Sequence, residues 1–189
     1  MRVLGVDPGS RFMGYGVVEE RRGRLVHVGH GVIKVDADAA LHVRLKELHA
    51  ALVTALQLYK PQAVAVEGVF TFRNARSALV LGHARGVALL AAAQEGLPVY
   101  EYAPAKVKKA VGAGGADGKD AVARMVKTFL KIDEVERADA SDALAVALCH
   151  LNQGRLVATP ASTGGGKQRK GAAALLAERL KPSYRRPEA

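Results

Sequence analysis

Short apolar runs separated by turn residues dominate the first part of the chain and predict β-strands. Residues 3–6, 14–19 and 25–33 form three such stretches, with turn-forming Pro and Gly between them. Connections this short join only antiparallel neighbours, because a parallel pair needs a crossover of a dozen residues or more. We therefore expect the three strands to form a meander.

Apolar positions spaced three or four residues apart then predict a helix that crosses over the sheet. The spacing runs from Leu41 to Tyr59 and marks one apolar helix face. Residues 63–66 are again a continuous apolar run, so the helix should return the chain to a strand parallel to the first. Further elements are predicted as a strand at residues 99–102 and helices at residues 74–95, 104–111, 119–130 and 138–151. The fold class is therefore α/β, with a five-stranded mixed sheet of three antiparallel and two parallel strands flanked by helices.

The charge of the chain indicates a polyanionic partner. Its 189 residues contain 28 Lys and Arg against 18 Asp and Glu, which gives a formal net charge of +10. Such an excess attracts polyanions at long range, so nucleic acid is the leading partner class. No run approaches the ~18 consecutive apolar residues of a membrane span, and Cys149 is the one cysteine. We expect a soluble protein of a reducing compartment, the cytoplasm, with no membrane partner.

The composition changes near residue 153 and predicts two regions: a folded domain over residues 1–153 and a basic, flexible tail over residues 154–189. Residues 155–189 hold eight Lys and Arg and two Glu, which is +6 of the total charge. Flexible cations can hold DNA phosphates without reading sequence. An appendage that only keeps the protein soluble is an equal alternative.

Two of the predicted parallel strands each end in an acid. Asp7 follows the first apolar run, and Glu67 follows the run at residues 63–66. In open α/β sheets, ligands bind in the crevice beyond the carboxyl ends of the parallel strands. We expect both carboxylates to open onto that crevice, although a turn role for Asp7, which precedes Pro8, is a real alternative.

The last predicted helix begins with two further acids. Asp139 and Asp142 are three residues apart and therefore share one helix face. Taken alone, the pair equally fits a helix cap and a favourable first-turn charge. The strongly apolar residues that follow predict that this end of the helix packs close against the sheet, which would bring four acids together.

Four clustered carboxylates indicate a cation site. Clustered carboxylates repel one another unless some are protonated or cations lie among them. Ligand sets made only of oxygen favour Mg²⁺ or Mn²⁺, and two such ions about 4 Å apart can drive an in-line displacement at a phosphodiester. A basic protein with an acidic metal site is typical of a nuclease.

The same residues carry a family resemblance. The segments Asp7-Pro8-Gly9-Ser10 with Gly14-Tyr15-Gly16, Val66-Glu67-Gly68-Val69-Phe70, and residues 138–145 around Asp139 and Asp142 resemble the bacterial Holliday junction resolvase family, RuvC. The likeness runs in order over residues 1–152 and leaves out the tail. It implies a ribonuclease-H-like fold, a homodimer and paired symmetric nicks in opposing strands of a four-way DNA junction.

Site roles follow from the resemblance residue by residue. It implies that Asp7, Glu67, Asp139 and Asp142 are the catalytic acids and hold Mg²⁺, with Mn²⁺ as a substitute and two ions per site. It also implies cooperation with the RuvA and RuvB branch-migration complex and a cytoplasmic, nucleoid-associated location.

Four other positions match the family's DNA-contacting residues. Phe70 corresponds to an aromatic side chain that stacks on unpaired bases, and Arg73, Lys108 and Lys119 correspond to backbone-contacting positions. Gly68 departs from the bulkier residue expected there, which puts base contacts and sequence preference in doubt more than metal binding.

Two other functions remain open from the sequence. A non-catalytic nucleic-acid-binding homologue of the same fold would bind junctions without cutting them, and the Asp7-Pro8-Gly9-Ser10 segment also resembles a phosphate loop of actin-like and sugar-kinase ATPases. Two histidines, His27 and His30, are three apart on a predicted strand and are expected to point to opposite faces.

Overall fold

The computed structural model describes residues 1–68, 74–112, 119–135 and 137–156, and for residues 119, 120 and 154–156 it describes the backbone alone. Within these residues the chain forms five strands and five helices. In chain order they are β1 (Arg2–Asp7), β2 (Phe12–Arg21), β3 (Arg24–Lys34), α1 (Leu41–Tyr59), β4 (Ala63–Glu67), α2 (Ala75–Gln94), β5 (Val99–Tyr102), α3 (Pro104–Ala110), α4 (Lys119–Leu130) and α5 (Ala138–Leu156). Every predicted element is present, and α5 continues to Leu156 where residue 151 was the predicted end.

The five strands form one mixed sheet in the order β3-β2-β1-β4-β5. The meander of β1, β2 and β3 is antiparallel. The crossover through α1 places β4 parallel to β1, and β5 then adds parallel to β4. The predicted sheet of three antiparallel and two parallel strands is therefore confirmed, and the fold is ribonuclease-H-like.

Helices cover both faces of the sheet and divide the core into two clusters. On one face, α5 packs with α3 and α4, and Val3, Val18 and Leu144 are buried there. On the other face, α1 and α2 pack over Leu4 and Val6. Successive strand residues point to opposite faces, so the two clusters alternate along β1. Burial of this apolar surface is the main force that holds the helices to the sheet.

Glycines let α5 approach the sheet more closely than any side chain would allow. A Cβ atom added at Gly5 would overlap the carbonyl oxygen of Ala143, and one at Gly14 would overlap that of Asp139. At Gly16 an added Cβ would lie 2.6 Å from the Leu144 side chain. The backbone of α5 therefore rests directly on β1 and β2, as the apolar sequence after Asp142 predicted in outline.

The expected orientation of two histidines is wrong. His27 Nε2 and His30 Nδ1 are 2.8 Å apart and hydrogen bonded, so both rings lie on one face of β3. The pairing of β2 with β3 shifts by one residue between Val17 and Val18, which leaves Val28 as an extra residue in β3. A bulge of this kind interrupts the strict alternation of side chains. Burial, and then the neighbouring His30, lower the pKa of His27.

Helix α2 differs from the other described helices in its composition. By length and hydropathy alone, it is the one helix among the described residues that could cross a membrane. Its alanines Ala84, Ala88, Ala91 and Ala92 are buried in the core beside the sheet, and the core helices of globular domains pass the same test. Leu79 and Leu90, by contrast, are 66% and 51% exposed on this helix.

Candidate active site

Two of the predicted site acids lie side by side at one edge of the sheet. Asp7 ends β1 and Glu67 ends β4. These strands are parallel neighbours in which Val6 lies opposite Val66, so the next residue of each strand is one of the two acids. The structure thus places them at the crevice where α/β sheets bind their ligands, as the sequence predicted.

Helix α5 brings a third acid to the same edge. Gly14 lies opposite Asp7 in the antiparallel pair of β1 and β2. The space that a side chain at Gly14 would need is taken by the backbone of Asp139, at the start of α5. Because Gly14 has no side chain, the first turn of α5 packs over the end of β1.

Electrostatics connect the fourth acid to Glu67. Partial burial raises the pKa of Glu67, the charge of Asp142 raises it further, and the charge of Lys108 lowers it. Asp142 and Lys108 therefore both lie close enough to Glu67 to act on its ionisation. Lys108 belongs to α3, so strand β4 and two helices contribute charged groups to one small region.

Asp139 has a cationic neighbour that the sequence analysis did not select. Arg137 Nε donates a hydrogen bond of 3.2 Å to Asp139 Oδ2, and the guanidinium lies 4.0 Å from the centre of the Phe12 ring. Stacking on an aromatic ring fixes the plane of a guanidinium group. Nothing in the sequence distinguishes Arg137 from a solvated arginine, because its contact with the Phe12 ring forms only when the start of α5 packs beside β2.

The donor set fits a cation that prefers oxygen ligands. Among the residues that the structure describes, no three His, Cys, Asp or Glu side chains are grouped closely enough to hold a metal ion. The four acids nevertheless offer only carboxylate oxygens, and Glu67 and Asp142 repel each other in a partly buried place. A divalent cation relieves that repulsion, and oxygen ligands favour Mg²⁺ or Mn²⁺.

The structure describes only some of the predicted DNA-contacting residues. Phe70 and Arg73 lie outside the described residues, and Lys119 begins α4 with its side chain outside them. Lys108 alone is placed, close to Glu67. The amide of Gly68 donates a 2.7 Å hydrogen bond to the carbonyl oxygen of Tyr102, which ties the end of β4 to β5.

The fold and the position of the acids define the class: a ribonuclease-H-like protein with carboxylates at the carboxyl edge of its parallel strands. Residues 3–150 match the family described as "Crossover junction endodeoxyribonuclease RuvC". The chain belongs to the RuvC family of crossover junction endodeoxyribonucleases, so the resemblance of its motifs is confirmed.

Individual relatives agree with this assignment. The crossover junction endodeoxyribonuclease RuvC of Myxococcus xanthus is 80% identical over the full length of both chains. Thermus thermophilus RuvC, solved in complex with a Holliday junction substrate, is 34% identical with a TM-score of 0.75, and the match covers 83% of this chain and 97% of that one. The yeast mitochondrial Holliday junction resolvase shares the fold, with a TM-score of 0.58 at 13% identity over 79% and 77% of the two chains.

Proposed function

We propose that this crossover junction endodeoxyribonuclease resolves four-way DNA junctions by paired, symmetric, metal-dependent nicks in opposing strands, during homologous recombination and DNA repair. The observation that carries the mechanism is the partly buried Glu67, which lies within electrostatic reach of Asp142 and Lys108 and beside Asp7 on the neighbouring strand. A site that keeps repelling carboxylates together at a sheet edge is arranged for a ligand rather than for stability.

Asp7, Glu67, Asp139 and Asp142 would hold two Mg²⁺ ions, with Mn²⁺ as a substitute. Bound there, such ions supply an activated water and a stabilised leaving oxygen for in-line displacement at a phosphodiester. The products carry a 5′-phosphate and a 3′-hydroxyl.

The chain's own residues orient the acids and the DNA. Burial holds Glu67 in one place at the end of β4, and Lys108 presents a positive charge beside it where a scissile phosphate would lie. Arg137 orients the Asp139 carboxylate through its 3.2 Å hydrogen bond. Phe70, Arg73 and Lys119 complete the DNA contacts, the first by stacking on unpaired bases and the other two at the backbone.

A homodimer would place two such sites on one junction. A two-fold symmetric protein matches a substrate that must be cut at two equivalent points. The exposed side of α2 supports this assembly, because Leu79 and Leu90 are exposed there and an added Cβ at Gly82 or Gly86 would meet nothing within 4 Å. The helix can therefore receive a second copy at close range.

The dimer is tested by adding bulk on that side of α2. Gly86 is exposed and an added Cβ atom there meets nothing within 4 Å, so we expect Gly86→Leu to fold while the dimer dissociation constant rises at least about tenfold. Sedimentation equilibrium measures the constant. Thr128→Leu adds a comparable side chain on α4, at the opposite face of the sheet, and should leave the dimer intact. Equal dimerisation of both variants would contradict the α2 interface.

In the cell, a cytoplasmic, nucleoid-associated location follows from this substrate. A RuvA and RuvB branch-migration complex would deliver the junction. The basic residues 154–189 would add non-specific affinity for DNA through their positive charge.

The nuclease function is tested with a labelled four-way junction and a linear duplex of matched sequence, each with Mg²⁺ or chelator. Wild-type protein should nick the junction in pairs only with Mg²⁺ and leave the duplex uncut. Glu67→Gln should abolish nicking and keep junction binding, while Glu47→Gln, an exposed change on α1, should cut normally. Junction binding by the wild type without any nicking would instead identify a binding module.

A further inference from the structure

A second polar pocket lies at the same edge of the sheet as the acids, on its other side. It has a volume of about 440 Å³, and Ser10, Arg11, Arg44, Arg76 and Ser77 line it together with two apolar side chains of α2. Ser10 and Arg11 precede β2, Arg44 lies in the first turn of α1, and Arg76 and Ser77 lie in the first turn of α2. The pocket is thus built from α1 and α2, whereas Asp139 and Asp142 come from α5 on the opposite face.

The charge of this arginine pocket is uniformly positive. Three arginines and two serines line it, and none of its described lining residues is acidic. The first turns of α1 and α2 contain no acid either, so no negatively charged side chain there offsets the positive end of either helix dipole. An anion with several oxygens is the ligand that this chemistry selects, since arginine binds phosphate through paired hydrogen bonds.

Arg44 is held in place with part of its hydrogen-bonding capacity unused. Its Nη1 donates a 3.2 Å hydrogen bond to the carbonyl oxygen of Ser10, which fixes the loop after β1 to α1. Its Nε is buried and has no hydrogen-bond partner among the described residues. Buried donors are normally paired, so Arg44 retains an unused donor beyond its contact with Ser10. The amides of Arg76 and Ser77 are already capped by Asn74 Oδ1, so an anion would be held by side chains here.

We propose that the arginine pocket binds a backbone phosphate of the junction close to the one that is cut. This proposal rests on the nuclease function above. Ser10 is three residues from Asp7, so their Cα atoms are at most about 10 Å apart, a distance that a DNA strand covers within a few phosphates. In this proposal the strand that enters the active site also contacts the pocket, so that one contact at the acids and one at the arginines set its direction.

The test is junction binding in the presence of chelator, so that no strand is cut. Arg44→Gln, Arg76→Gln and the double variant remove the positive charge, and Arg24→Gln is the matched control, an exposed arginine at the opposite edge of the sheet. The double variant should weaken junction binding about tenfold or more, and each lost contact should reduce the slope of log K against log salt by about 0.9. Arg24→Gln should bind within about twofold of the wild type. Wild-type affinity and salt slope in both single variants and the double variant would overturn the proposal.

A scan of neutral methylphosphonate linkages along the cut strand locates the contact. Wild-type binding should weaken at one linkage within about three phosphates of the cut, and Arg76→Gln, an exposed position whose change leaves the core untouched, should show no further loss at that linkage. An unchanged scan in the variant would overturn the proposal.

Inorganic phosphate tests the alternative of a free-phosphate site. If millimolar phosphate stabilises the wild type and the variants bind the junction normally, the pocket is a free-phosphate site and the proposal is overturned. Since binding and nicking are measured separately, failure of the wild type to cut would reject the nuclease function while the binding measurements still decide the pocket.

Discussion

The pKa of a glutamate is shifted in opposite directions at the two edges of the sheet. At the amino end of β1, Glu19 accepts hydrogen bonds from Arg2 at 2.9 and 3.1 Å and from Arg21 at 2.8 Å. These bonds lower its pKa to about 2. At the carboxyl end, burial and Asp142 raise the pKa of Glu67, and Lys108 offsets only part of that rise.

The opposite pKa shifts distinguish a group that stabilises the fold, Glu19, from a group suited to binding a ligand, Glu67. Glu19 is neutralised by its own chain, so its charge strengthens the native state. Glu67 and Asp142 repel each other, and a bound cation or a proton would reduce that repulsion. A partly buried carboxylate whose pKa is raised by a like-charged neighbour is a candidate functional group for this reason. We therefore propose that the carboxyl edge carries the chemistry, whereas Glu19 at the amino edge contributes to stability.

The largest effect should come from breaking the repulsive pair. Asp142→Asn removes a proposed metal ligand, so we expect junction nicking to fall at least about 1,000-fold, given the several kcal/mol that metal ions supply to such reactions. Because the variant also removes repulsion, its melting temperature without metal should equal or exceed that of the wild type. Asp133→Asn, an exposed loop change, is the control for both assays. Loss of stability together with normal nicking would reverse the roles assigned to the two edges.

A smaller effect should follow from pushing α5 away from the carboxyl edge. Gly14→Ala places a methyl group against the carbonyl oxygen of Asp139, and overpacking of this kind costs about 1–3 kcal/mol. Urea denaturation should show that loss, and nicking should fall because Asp139 is displaced. Gly82→Ala, measured at the same protein concentration, meets no atom within 4 Å and should gain up to about 1 kcal/mol from helix propensity. Equal stability of the two variants would mean that the contact of α5 with β2 is not tight.

The smallest effect should appear at the amino edge. The folded pKa of Glu19, about 2, lies below its ordinary value of 4.5, so its contribution is present above about pH 4.5 and is lost as the pH falls toward 2. Glu19→Gln should therefore lower the free energy of unfolding modestly at pH 7, since exposed ion pairs are screened by solvent. The difference from the wild type should vanish near pH 2. A difference that is the same at pH 7 and pH 2 would show that charge is not its cause.

Much of this architecture was predictable from local pattern. The strands and helices follow from apolar periodicity, and the placement of Asp7 and Glu67 follows from the rule that parallel strands share one carboxyl edge. The His27 and His30 prediction failed because one extra residue in β3 reverses the alternation, and no sequence signal marked Val28 as a bulge. Arg137 was missed because its contact with Phe12 forms only through packing.

The arginine pocket was equally invisible in the sequence. Arg11, Arg44 and Arg76 are far apart along the chain, and each one resembles an ordinary surface cation. They come together only in the folded chain, because the start of β2 and the first turns of α1 and α2 lie at the same edge of the sheet. The proposed roles of the four acids likewise rest on chemistry and family membership, because pattern alone fits a capped helix and a turn equally well.

The contact of α5 with Gly5 and Gly14 is made between main chains, and this has a consequence for how the protein can change over time. Side-chain contacts shift whenever a core residue is replaced by a larger or smaller one. A spacing set by peptide groups does not depend on which apolar residues fill the rest of the interior. The core on either side can therefore drift through many substitutions while the acids keep their separation, provided that the two glycines are retained.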